Sequence, residues 1–215
     1  MRLPERFRHI AVEGPIGAGK TSLARRFAET TGATALLEDP GANPFLPSFY
    51  RDPERHALAT QLFFLFQRVD QLRELSQPDM FAATITVSDF FFDKDRLFAR
   101  LTLSDHEFEL YRKIFDHLAP PAVAPDLVIY LQASPRVLAA RVRRRGIGYE
   151  SNLSQAYLVR LADAYSRFFL DYAAAPVLVV DSERLNFIEK PEDFALLLRR
   201  IAEMRSNREY FNAGV

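Results

Sequence analysis

At 215 residues the chain has the length of one domain with a sizeable core, and 28 Lys+Arg balance 28 Asp+Glu for a formal net charge of zero. That balance argues against a dedicated nucleic-acid binder, whose phosphate contacts show as a basic excess. The absence of Cys excludes disulfides, Cys-ligated zinc, iron–sulfur clusters and thiol nucleophiles, and a content of 48% hydrophobic against 26% charged residues excludes disorder.

The first residues, Met1 to Arg6, are partly basic but have no apolar run behind them, so they do not read as a signal peptide. No stretch approaches the roughly 20 apolar residues of a membrane helix, and the expectation is a soluble cytoplasmic protein without a membrane partner. His9–Val12 reads as a buried strand and Thr21–Thr30 as a helix with Leu23, Ala24 and Phe27 inward. Ala33–Leu37 is a weaker second strand. Pro53 opens a helix of about six turns, with Leu58, Leu62, Leu65, Val69 and Leu72 at helical spacing. The apolar face of this helix fits a monomer core and a homodimer surface equally well.

Thr84–Val87 and Leu127–Leu131 read as the third and fourth strands. Ser134 and Pro135 cap and open the next helix, with Val137, Leu138 and Val142 on one face. A further helix covers roughly Ser154 to Tyr172, Val177–Val180 is the fifth strand, and Pro191 starts a last helix carrying Leu196, Leu197, Leu198 and Ile201. Strands separated by helices imply a doubly wound α/β domain over residues 1–215, a parallel sheet of about five strands with helices on both faces.

Between the first strand and the first helix lie Gly14, Pro15, Ile16, Gly17, Ala18, Gly19, Lys20 and Thr21, followed by Ser22. This is a complete G-x-x-x-x-G-K-T in its strand–loop–helix setting, the signature of a nucleoside triphosphate site. The glycines let backbone N–H groups wrap a phosphate, Lys20 reaches the β/γ-phosphates, and the Thr21 hydroxyl is a ligand for Mg²⁺. Taken alone, the motif does not choose among kinases, GTPases and other ATPases.

Several further features stand on this frame. Leu37-Glu38-Asp39-Pro40 follows the second strand, and either acid fits a general base or a solvated loop. Phe45 comes shortly after, then Tyr50, then Gln61, a polar residue inside an apolar helix. Arg141, Arg143, Arg144 and Arg145 crowd the end of the helix after the fourth strand, with Glu150 just beyond. Together with the phosphate loop these segments resemble the deoxynucleoside kinase family, which includes deoxyadenosine and deoxyguanosine kinases.

That resemblance implies an ATP- and Mg²⁺-dependent phosphorylation of the 5′-hydroxyl of a deoxynucleoside, with a purine favoured and family members commonly dimeric. It implies that Glu38 is the base, that Tyr50 and Glu150 bind the sugar 3′-hydroxyl, that Gln61 pairs with the base edge, and that the four arginines form a lid over the phosphates. Phe45, Phe63 and Phe64 become candidates to wall the nucleobase, and Asp181 and Ser182 to border the adenine of ATP. The chain departs from the family at one place. Typical members follow the third strand with Asp/Glu-Arg-Ser, the acid assisting Mg²⁺ and the Arg contacting the substrate's 5′ end. Here Asp89 supplies the acid, but Phe90 follows it. Loss of such a contact costs about 2.7 to 4 kcal/mol of transition-state stabilisation in comparable sites. Lys94 and Arg96 are the nearest cations that reach back. Two alternatives follow: a nucleotide-binding member without kinase activity, or a kinase for another small acceptor such as a nucleoside monophosphate, using Arg51, Arg55 and Arg68.

Overall fold

A computed structural model describes residues 6–76, 85–118 and 124–212. Its centre is one parallel sheet of β1 (His9–Glu13), β2 (Thr34–Leu36), β3 (Thr86–Ser88), β4 (Leu127–Gln132), β5 (Val177–Asp181) and β6 (Arg208–Phe211), in the order β2-β3-β1-β4-β5-β6. The helices are α1 (Lys20–Thr31), α2 (Leu46–Phe49), α3 (Pro53–Ser76), α4 (Lys94–Thr102), α5 (Asp105–Leu118), α6 (Pro135–Arg145), α7 (Gln155–Asp171) and α8 (Pro191–Glu203).

Strand side chains alternate between faces, and the core divides accordingly. Ile10 and Val12 of β1, with Leu127, Ile129 and Leu131 of β4, pack with Leu23 and Phe27 of α1 and with Leu197, Leu198 and Ile201 of α8. Ala11, Val128 and Tyr130 face the other way, onto Leu161, Tyr165 and Phe169 of α7. A third cluster joins Leu46 and Phe49 of α2 to Leu65 and Val69 of α3 and Tyr111 and Phe115 of α5. The apolar face of α3 is thus taken up by the chain's own core, while Phe66 of the same helix stays exposed. Among the described residues, no helix is long and apolar enough to cross a membrane.

The sheet has six strands rather than about five. The sixth, Arg208-Glu-Tyr-Phe211, is a short edge strand held by parallel backbone pairing to β5, so it carries no apolar run to announce it. The third strand is shifted to Thr86–Ser88; Thr84, expected in it, lies outside the described residues, as do the first five residues of the chain. Helices α2, α4 and α5 have no counterpart in the sequence reading. For α5 a signal existed: Ser104 and Glu107 form a capping box, with Ser104 N–H donating to Glu107 Oε2 at 3.0 Å and Glu107 N–H to Ser104 Oγ at 3.5 Å. Ser134 occupies the N-cap of α6 but its hydroxyl makes no cap bond, whereas Ser154 caps α7 by accepting from Tyr157 N–H. Leu196 faces outward on α8 because the buried stripe runs through Phe194, Leu197, Leu198 and Ile201.

Candidate active site

In a doubly wound sheet the crevice lies beyond the carboxyl ends of the strands where the strand order reverses. Here that point is the end of β1, between β3 and β4, where the phosphate loop leaves the sheet. Gly14 passes so close to β4 that a Cβ would stand 2.5 Å from the Leu131 carbonyl oxygen. Gly19 has φ +101°, a left-handed conformation that opens α1 and is strained for any residue with a side chain. Lys20 Nζ donates to the carbonyls of Gly14 at 2.8 Å and Pro15 at 3.3 Å, within the loop itself. Burial lowers the Lys20 ammonium's pKa, and the nearby Lys94 lowers it further.

Asp89 joins the loop to the neighbouring strand ends. Its Oδ2 accepts from the Thr21 hydroxyl at 2.5 Å and its Oδ1 from the Glu38 N–H at 2.7 Å. A hydroxyl and a carboxylate in contact are hard oxygen donors of the kind Mg²⁺ takes from protein, with phosphates and water completing the shell. The donor set fits that ion.

Three side chains on one face of α3 hold the segment after β2. Gln71 Nε2 donates to the Leu37 carbonyl at 2.8 Å, Gln67 Nε2 to the Asp39 carbonyl at 3.1 Å, and Arg68 Nε to Glu38 Oε1 at 2.6 Å. Arg68 also pairs with the fully buried Asp95 of α4, whose Oδ2 accepts from the Tyr111 hydroxyl at 2.8 Å. Burial would raise the Glu38 carboxyl, but the cations Arg68, Lys94 and Lys20 outweigh it and hold its pKa at about 2. Glu38 is therefore ionised at any working pH. Asp39 is exposed and accepts from Gly41 N–H, so the choice between the two acids falls on Glu38.

A second buried carboxylate, Glu13, ends β1. Its Oε1 accepts from Gly14 N–H and from the Tyr165 hydroxyl, each at 2.9 Å, and its Oε2 faces Lys94 Nζ at 3.3 Å. Neither Glu13 nor Tyr165 stands out in the sequence, because each resembles an ordinary residue of a strand end or a helix.

Of these groups Lys20, Thr21, Glu38, Arg68, Asp89 and Lys94 line a cavity of about 630 Å³. At one end are Gly17 to Leu23 of the loop and helix, with Arg141, Ser182 and the segment Leu185 to Ile188. At the other are Leu46, Phe49, Tyr50, Gln61, Phe64 and Glu150. Gln61 is 4% exposed and opens into this second end from the buried face of α3. Tyr50 stacks on Tyr149 with ring centroids 5.7 Å apart, and burial raises its phenol pKa, which keeps the hydroxyl protonated. Arg145 makes two bonds to Glu150, from Nε at 3.1 Å and from a terminal nitrogen at 2.5 Å.

The deoxynucleoside kinase family model matches residues 10–205, nearly the whole described chain. A deoxyguanosine kinase of Bacillus subtilis (strain 168) is 32% identical over 199 residues, covering 91% of this chain and 96% of the relative. The chain belongs to the deoxynucleoside kinase family. A deoxyadenosine kinase of Lactobacillus acidophilus is 28% identical, covering 90% and 94% of the two chains. Among solved structures, deoxyadenosine kinase from M. mycoides with the products dCMP and dCDP has TM-score 0.79 at 21% identity, covering 91% of this chain and 100% of that one. The same protein with dATP gives 0.78 at 21% identity, with 90% and 98% covered. These two likenesses establish the fold.

Within this kinase-family frame, several expected site residues are not in the cavity lining, Gly14 and Pro15 of the loop among them. Phe45 is 39% exposed at the start of α2, and neither it nor Phe63 lines the cavity; Phe64 does, as expected, and Phe49 joins it. Arg143 is exposed on the outer side of α6, while Arg141, Arg144 and Arg145 line the cavity. Arg141 is tied down, donating to the Ser182 hydroxyl at 3.1 Å, the Ser182 carbonyl at 2.5 Å and the Ala18 carbonyl at 3.3 Å. Asp181 is not in the lining, but Ser182 is. Arg51 and Arg55 are exposed and outside the cavity. Of the two cations expected to reach back, Lys94 points to Glu13 and Glu38 in the cavity that Asp89 also lines, and Arg96 pairs with Asp116 at the surface.

Proposed function

We propose that this enzyme transfers the γ-phosphoryl group of ATP to the 5′-hydroxyl of a purine deoxynucleoside. The observation that carries this reading is that one cavity holds an ionised Glu38 beside the phosphate-loop Lys20, with the buried Gln61 at its far end. The triphosphate lies along the loop toward Lys20 and Arg141, and the nucleoside lies toward Tyr50, Gln61 and Phe64. A carboxamide offers one donor and one acceptor, which match a purine edge in two hydrogen bonds. Tyr50 and Glu150 take the sugar 3′-hydroxyl, and the stacked Tyr149 and the Arg145 pair keep both in place.

In the transfer, the 5′-oxygen forms a bond to the γ-phosphorus as the bond to the β-phosphate oxygen breaks, leaving ADP. The hydroxyl proton goes to a Glu38 oxygen. A carboxylate with so low a pKa is a weak base, so it accepts that proton late, once the oxygen's bond to phosphorus has made it acidic. Until then Glu38 orients the hydroxyl. Thr21 and Asp89 would hold Mg²⁺, which when bound draws charge from the phosphate oxygens. Arg144 lines the cavity from α6 and can close on those oxygens, whereas Arg145 is held by Glu150. A nucleoside monophosphate acceptor would need a further arginine pair. Arg51 and Arg55 stand at the surface and Arg68 is committed to two carboxylates, which supports the unphosphorylated acceptor.

The test is a phosphorylation screen of all deoxy- and ribonucleosides and their monophosphates with ATP·Mg. Deoxyguanosine and deoxyadenosine are expected to be the best acceptors, and Glu38→Gln to lower kcat by about 10² to 10⁴-fold with ATP binding retained. Retained ATP binding with no nucleoside phosphorylated by the wild-type protein overturns the reading.

A further inference from the structure

We propose that Lys94, the first residue of α4, is a catalytic cation that contacts the transferring phosphoryl group and takes the place of the arginine absent after Asp89. The inference rests on the kinase reading above and names a residue of its site.

Phe90 holds the position where an arginine was expected, and it is 2% exposed among core residues, so nothing cationic reaches the cavity from there. The chain then turns tightly. Ser88 Oγ donates to the Phe90 carbonyl at 2.8 Å, and Lys94 N–H donates to the Phe91 carbonyl at 3.2 Å as α4 begins. This turn returns the fifth residue after Asp89 to the strand ends that Asp89 itself joins. Lys94 is also 2% exposed, yet it lines the cavity together with Lys20, Glu38 and Asp89.

A buried ammonium needs a reason and a holder. The holder is Glu13, fixed from two other directions by Gly14 N–H and the Tyr165 hydroxyl, with Oε2 at 3.3 Å from Lys94 Nζ. Glu38 Oε2 lies at 3.7 Å on the other side, beyond hydrogen-bond length. An ammonium has three donors, and these contacts leave donors for phosphoryl oxygens. The reason lies in the cavity wall, which Lys94 shares with the phosphate-loop Lys20 and with Glu38. Glu13 and Glu38 offset the Lys94 charge at rest, and two ammoniums lining one cavity also call for an anionic ligand there. The oxygens of a phosphoryl group in transit between ATP and an acceptor held by Glu38 meet that requirement. Glu13 is then a positioning residue, joining the first N–H of the phosphate loop to the cation beside the base.

The experiment compares wild type with Lys94→Met, Lys94→Arg and the double variant Glu13→Gln/Lys94→Met in steady-state kinetics with ATP·Mg and deoxyguanosine or deoxyadenosine. Direct titration of ATP accompanies the kinetics. The double variant removes both members of the buried pair, so it leaves no stranded carboxylate and reports on chemistry if Lys94→Met alone fails to fold. The expected result is a kcat lowered by about 10² to 10³-fold in both methionine variants, with KM for the nucleoside and ATP affinity within about threefold of wild type. Lys94→Arg should restore about tenfold or more of the lost kcat. A kcat within about threefold of wild type in either methionine variant overturns the proposal. So does a loss confined to KM, or an arginine variant as slow as the methionine one. A wild-type protein that phosphorylates no deoxynucleoside overturns the kinase reading itself, so the two failures are told apart by which protein is inactive.

Discussion

Arg68 is the residue on which two buried carboxylates depend. It pairs with Glu38 at the end of β2 and with Asp95 on α4, and it covers the Phe64 ring with its guanidinium 5.1 Å from the centroid. Breaking a buried pair by removing one partner costs about 3 to 5 kcal/mol because a charge is left uncompensated. Arg68→Met should therefore lower the unfolding free energy from urea titration by that order, and Arg68→Met/Asp95→Asn should recover part of the loss; equal values in the single and double variants would refute the shared-charge account. At this scale a motif or a resemblance named Lys20, Thr21, Glu38 and Gln61, and the fold brings these four to one cavity. Arg68 carried a weaker signal. It lies seven residues after Gln61, two helical turns on and therefore on the same buried face. The sequence offered it only within the alternative of a phosphorylated acceptor, because nothing in the linear chain says that Asp95 will be packed beside it. Phe45 went the other way, since an aromatic residue near a motif says little about which side of a short helix it takes.

Among the elements, α6 shows what composition leaves out and geometry adds. Four arginines at its end read as one lid, yet residues three and four apart share a helical face and residues two apart do not. Arg144 and Arg145 stand three and four places after Arg141, and these three line the cavity. Arg143 stands two places after Arg141 and is not in the lining. The period was in the sequence and would have separated them. Their tasks differ as well: Arg141 is bound to Ser182 and the loop, whereas Arg145 holds Glu150. Arg143→Ala should leave kcat and both KM values within about twofold, Arg144→Ala should lower kcat by about tenfold or more, and Arg145→Ala should also raise nucleoside KM. Equal effects at Arg143 and Arg144, measured by steady-state kinetics, would contradict this division. Elements that lack an apolar run escaped reading for a related reason. The strand β6 is specified by backbone pairing to β5, and α4 by the polar residues it buries, Lys94 and Asp95.

For the molecule as a whole, zero net charge is an average over a site in which Lys20, Lys94, Arg68 and the α6 arginines converge and a surface that balances them. The balance does not protect the fold from acid, because two buried groups bind protons more weakly in the folded chain than in the unfolded one. His9, at the start of β1 with its Nε2 2.9 Å from Ser88 Oγ, has its pKa lowered from 6.5 to about 4 by burial, against the opposing pull of Asp126. Between those values the unfolded chain takes up a proton that the folded chain refuses. Stability is thus fully present above pH 6.5 and declines as pH falls toward 4, by about 3 kcal/mol over that window. Glu38, lowered from 4.5 to about 2, adds a second loss that begins only below pH 4.5. Urea midpoints measured from pH 7.5 downward should fall in these two stages, and His9→Gln should flatten the first while leaving the second. A variant whose midpoint between pH 6.5 and 4.5 declines as steeply as that of the wild type would show that another group carries the acid sensitivity.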